Sequence, residues 1–139
     1  MQGKKFLRLG AVLLILLGVL RGTGGLILLI QGPAADPNIT ATAMDTSIVA
    51  SFLILIGLLS IIFGIGLWKQ RRKCWIGGII TTIAFVIDGA INGFVLYGQP
   101  GDKGTVVNLL SAVIIITILY FGRAGVKSRA QTTTNKKNN

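Results

Sequence analysis

Long apolar runs separated by short polar breaks dominate the chain. The runs cover residues 9–30, 48–68, 75–97 and 105–122, and within them apolar residues follow one another without the two-residue alternation of a barrel strand. Each run is close to the roughly 20 residues with which a helix, rising about 1.5 Å per residue, crosses about 30 Å of hydrocarbon. The pattern predicts an all-α integral membrane protein, a four-helix transmembrane bundle occupying residues 1–122. Residues 123–139 are rich in Thr, Asn and Lys, and predict a basic, disordered cytoplasmic tail. A cleavable secretory signal is a poorer reading of the first run, which continues past the usual length of about 7 to 15 apolar residues and is interrupted by Arg21.

The polar breaks set the orientation. Lys4, Lys5 and Arg8 precede the first helix, Lys69, Arg71, Arg72 and Lys73 separate the second from the third, and Arg123, Lys127, Arg129, Lys136 and Lys137 follow the fourth. The opposite side carries Lys103 alone, together with Asp36, Asp45 and Asp102. Basic residues gather on the cytoplasmic side of membrane proteins, so both termini are expected in the cytoplasm and the protein in the plasma membrane. The outer segment Gln31 to Ser47, with Pro33 and Pro37, predicts an irregular connection, and Gly98 to Gly104 a tight turn around Pro100. A net charge of +10 on a soluble domain would suggest nucleic acid, but here the basic residues flank apolar runs and no nucleic-acid partner is expected. The bilayer itself is the expected partner, with anionic lipid attracted to the cytoplasmic face.

Composition narrows the chemistry. There is no His, no Glu and a single Cys, Cys74, so a metal site of the usual His and Cys type cannot be assembled. General acid-base chemistry would fall to four Asp residues, Lys, Tyr or Cys74. The expectation is a protein that is not an enzyme and holds no metal or cofactor.

Arg21 and Asp88 are the residues that the apolar runs do not explain. A charge at the centre of a membrane helix costs about 2.5 to 3.5 kcal/mol on insertion scales, so neither should face lipid. Counted from Arg8 and from Lys73, both lie roughly 20 Å above the inner boundary, which predicts an ion pair between helices one and three. Asn92, Asn108 and Ser51 lie nearer the outer boundary, and with the pair they form the candidate intramembrane polar site. Small residues are expected to bring the helices close: Gly18, Gly22 and Gly25 on the first, Gly57 and Gly64 on the second, Gly89 and Gly93 on the third. Trp68, Trp75 and Tyr97 are expected to anchor helix ends at the interface. When the halves are aligned by topology, Arg21-Gly22 falls opposite Asp88-Gly89, and Asp45 and Ser51 fall opposite Asp102 and Asn108. A parallel two-plus-two repeat would follow.

Two resemblances can be placed on these residues. Gly104-Thr105-Val106-Val107-Asn108 resembles the Gly-Thr and Val-Asn motif of the small fluoride channels, which also have four helices. In that family, however, the motif lies in helix two with one more residue between Thr and Asn, and the Thr- and Phe-rich motif of helix three has no counterpart here. More broadly, four apolar helices, a basic turn after the second and a Gly-rich first helix resemble the small DoxX-like membrane proteins of prokaryotes, which implies an accessory membrane role. The residues and the resemblance together predict an accessory subunit or homo-oligomeric membrane component. The alternative is a small transporter that binds a proton or anion through Asp88 and Arg21.

Overall fold

A computed structural model describes residues 2–98 and 103–135, with side chains placed at 2–98 and 104–123. Within them the chain is helical: α1 is Gln2–Gln31, α2 Ala43–Trp68, α3 Arg72–Tyr97 and α4 Lys103–Asn135, with one 3-10 turn at Gly32–Ala35. All four helices contain a stretch long and apolar enough to cross a membrane.

The helices extend beyond the apolar runs that announce them. α1 begins at Gln2 rather than residue 9 and α2 at Ala43 rather than 48, because Lys, Arg, Gln, Met and Ala all continue a helix readily once it is nucleated. The backbone of α4 likewise runs through Gly122 to Asn135, where the sequence suggests a disordered tail beginning at residue 123. Lys136 and Lys137 lie outside the described residues, as do Pro100 and Asp102 of the expected outer turn.

Neighbours in the chain are neighbours in the bundle. α1 packs on α2 and α4, and α3 packs on α2 and α4, which leaves α1 and α3 diagonally opposed. The tightest seam is α1 on α2, where glycines bring backbone against backbone. A Cβ on Gly18 would lie 2.6 Å from the Gly57 carbonyl oxygen, one on Gly57 would lie 2.8 Å from that of Gly18 and from the Gly22 nitrogen, and one on Gly25 would lie 2.9 Å from that of Ala50. Gly64 meets Ala11 and Ile15 in the same way lower down. The small-residue stripe of α1 therefore seats α2. It does not seat α3, the contact that pairing Arg21 with Asp88 had suggested.

Three apolar layers fill the bundle. Leu7, Ala11, Leu14, Leu67, Ile115 and Leu119 close the end that holds the chain's start, and Leu28, Val49, Ala50, Leu53 and Leu96 close the other. Between them lies a thin layer of Ile56, Phe85 and Ala112. This middle layer is where the charged side chains enter.

The helix ends are secured locally. Thr42 caps α2, its hydroxyl accepting from the Asp45 N–H at 3.2 Å and donating to the Asp45 carboxylate at 2.6 Å. At the other end of α2 the Arg71 N–H donates to the Gly66 carbonyl at 3.2 Å and the Gln70 N–H to that of Leu67 at 2.8 Å, a Schellman closure that places Gln70 in the left-handed region at φ 56°. Trp75, expected to anchor an interface, instead turns inward and donates its indole N–H to the Leu119 carbonyl of α4 at 2.8 Å. Trp68 is exposed, with the Arg8 guanidinium 6.0 Å from its ring.

Candidate functional site

Most polar side chains within the helices are satisfied by their own backbone. The hydroxyls of Thr46, Ser47, Ser51, Ser60, Thr82, Ser111 and Thr117 each donate to the carbonyl one turn earlier. Ser51 is among them, and it is exposed on α2, apart from the polar cluster to which its depth assigned it. Four side chains stand apart from this pattern: Arg21, Asp88, Asn92 and Asn108.

Those four gather across the bundle. Arg21 of α1 reaches through the middle layer to Asp88 of α3, with Nη2 3.4 Å from Oδ2 and the side chains 19% and 7% exposed. Asn92, one turn beyond Asp88 on α3, donates its amide to the same Oδ2 at 2.9 Å. Beneath the guanidinium lies Phe85, whose ring centroid is 4.5 Å from Cζ, so the cation rests on an aromatic face. Asn108 of α4 approaches from the other side: a Cβ on Gly89 would collide with its amide nitrogen and would lie 3.2 Å from Arg21 Nη2. Only glycine at 89 lets α1 and α4 bring these two donors to α3 together.

The ion pair is incompletely made. Nε and Nη2 of Arg21 are buried and have no hydrogen-bond acceptor among the described residues, so the contact with Asp88 is one of charge. A buried donor left without an acceptor costs about 1 to 3 kcal/mol, more when charged.

Above the cluster, a pocket of about 360 Å3 extends to the α1–α2 connection. Arg21, Asn92 and Asn108 lie at its polar wall, and Ile27, Leu28 and Leu53 contribute to its apolar one. Asp36, Ile39 and Tyr97 border it at the connection. After the 3-10 turn, residues 36–42 form the irregular connection expected, tied to α3: the Thr40 N–H donates to the Leu96 carbonyl at 2.8 Å and the Tyr97 hydroxyl to Asp36 Oδ2 at 3.3 Å. Asp36 Oδ1 accepts from both the backbone and the side-chain amide of Asn38, and these bonds hold its carboxyl below the usual carboxylate range.

Sequence reasoning finds Arg21, Asp88, Asn92 and Asn108, and the structure brings all four together. Phe85 is 2% exposed at the centre of the site, whereas Phe94 of the same helix is 61% exposed. Phe85 is three residues before Asp88, hence on the same helical face, and that spacing was the available signal. The roles of Asp36 and Tyr97 depend on a contact 61 residues apart, for which the sequence offers no local cue. Comparison with family models, with curated proteins and with solved structures finds no match.

Proposed function

We propose that this chain is a non-enzymatic multi-pass membrane protein of the plasma membrane, with both termini cytoplasmic, acting as an accessory subunit or self-assembling membrane component. The observation that carries the reading is the sorting of its side chains. Large apolar residues such as Leu20, Ile30, Phe52, Ile62, Ile80 and Phe121 stand outward on all four helices, while the one ion pair the described residues record is turned inward. Water would penalise that arrangement heavily and hydrocarbon favours it. Twelve Lys and Arg residues flank the same ends of the helices, which supports the orientation and an attraction to anionic lipid there.

Purification in mild detergent, followed by mass spectrometry of whatever travels with the chain, tests the role. A stoichiometric membrane partner or a defined oligomer is the expected result. A solitary monomer that moves solute into proteoliposomes, and stops doing so as Asp88→Asn, would replace this reading with a transporter.

A second reading is favoured by a specific feature. Arg21 lines a pocket of ligand size while two of its nitrogens have no acceptor among the described residues, an arrangement suited to a small-molecule-binding membrane protein.

A further inference from the structure

The Arg21–Asp88 pair is also a partition. On one side lies the pocket of about 360 Å3 that Arg21 lines; on the other, between α2 and α3, runs an apolar groove of about 420 Å3 that Asp88 lines, walled by Phe52, Ile56 and Ile87. Asn92 borders both. The cation and the carboxylate therefore face different spaces.

Charge alone holds the two partners to each other. Asp88 Oδ2 already accepts the Asn92 amide at 2.9 Å, and Arg21 Nη2, at 3.4 Å, makes no hydrogen bond to it. Nε and Nη2 form one edge of the guanidinium, the fork that grips both oxygens of a carboxylate. Asn108 brings a third donor to the point beside Gly89 where Nη2 lies. Three donors thus gather just behind the pocket wall that Arg21 and Asn108 line, and the Asp88 oxygen near Nη2 is already shared with Asn92.

Charge then constrains what can bind. Arg21 and Asp88 cancel, so a monoanion bound to Arg21 in an apolar bundle leaves one uncompensated negative charge unless a proton enters with it. Asp88 is placed to take that proton. Among the described residues, the charged groups around it are Arg21 from α1 and Asp45 at the far end of the groove on α2; α4 contributes the neutral Asn108, and α3 the neutral Asn92.

We propose that the pocket binds an amphipathic monocarboxylate at Arg21, and that each binding event is coupled to uptake of one proton by Asp88. The carboxylate takes the Nε and Nη2 edge and the Asn108 amide, and its apolar body lies along Ile27, Leu28 and Leu53. Asp88, released from Arg21 and now neutral, keeps Asn92 as its partner. One anion and one proton enter, no bond of the ligand breaks, and the cluster's charge is unchanged. Asp36 at the mouth accepts from Asn38 and Tyr97, which offsets part of its repulsion of an incoming anion. The proposal rests on the second reading above, with Arg21 as a ligand-binding group.

The test is titration of the full chain in nanodiscs with benzoate, with benzyl alcohol and benzylamine as neutral and cationic controls, from about pH 6 to about pH 8. Saturable benzoate binding is expected, weakening about tenfold for each unit rise in pH because one proton accompanies each anion, and absent in Arg21→Gln. Asp88→Asn copies the neutral acid, so it is expected to bind benzoate without pH dependence and, at the upper pH, more tightly than the wild type. Its melting temperature should rise with benzoate more than that of the wild type, since Arg21 there has no other counter-ion. Arg21-dependent binding that ignores pH in the wild type would leave the ligand-binding reading standing and overturn the coupling. No saturable benzoate binding, or equal binding of benzyl alcohol, would overturn the anion pocket itself. If Arg21→Gln does not fold, the response of Asp88→Asn decides alone.

Discussion

Serine, threonine, asparagine and charged side chains all occur within the apolar helices, but the backbone can absorb only the first two. A hydroxyl finds the carbonyl one turn back and leaves no demand on other helices, which is why Ser51 sits outward and Asn108 inward although the sequence places them at the same depth. Arg21 and Asp88 are legible in the sequence because their cost in hydrocarbon is large enough to force a partner. Phe85 is less legible, since an aromatic residue in an apolar run carries no sign of what it faces. The pair itself makes a sharp prediction. Asp88→Leu strands the Arg21 charge and is expected to cost about 3 to 5 kcal/mol, seen as a steep loss of folded yield, whereas Arg21→Met with Asp88→Leu should recover much of it. Folded yield by gel filtration checks both, and a harmless Asp88→Leu would mean that Asp88 is not what holds Arg21 in the bundle.

Helix positions follow from hydropathy, but helix ends do not. The apolar runs locate all four helices, yet α1 starts seven residues before its run, at Gln2, because backbone hydrogen bonding continues where hydropathy falls. Which helices touch was also hidden. Gly18 and Gly25 share the face of Arg21 by spacing, but the structure spends that face on the α1–α2 seam, where the partners are Gly57 and Ala50. The two halves pack differently: α1 and α2 meet backbone to backbone, while the α3–α4 contacts run through side chains such as Trp75 and Asn108. Gly57→Ala, whose Cβ would press on two backbone atoms 2.8 Å away, is expected to destabilise by about 1 to 3 kcal/mol. Gln70→Gly should act in the opposite direction. Glycine accepts the left-handed conformation that Gln70 holds at φ 56°, so a gain of about 0.5 to 1 kcal/mol is expected in reversible unfolding. Destabilisation by Gln70→Gly would contradict the Schellman closure at this turn.

At the scale of the whole molecule, three features agree without depending on one another. The four helices have membrane-spanning length and apolarity, large apolar side chains point outward, and the one ion pair recorded among the described residues is turned inside. The order of the helices around the bundle brings Arg21 and Asp88 together from diagonal positions, at similar distances from the outer ends of α1 and α3, roughly 15 Å by helical rise. That agreement of depth was legible from the basic flanks; the loop of Asp36 and Thr40, tied to α3, was not, because its bonds join distant parts of the chain. The central claim is a four-span membrane protein with both ends inside. Cysteine accessibility in intact cells tests it most directly, using single cysteines at Asn38, at Gln70 and at Asn139 in a Cys74→Ala background. The account predicts that an impermeant thiol reagent labels position 38 in intact cells, and positions 70 and 139 only after permeabilisation. Labelling of position 70 or 139 in intact cells, or of position 38 only after permeabilisation, would contradict it.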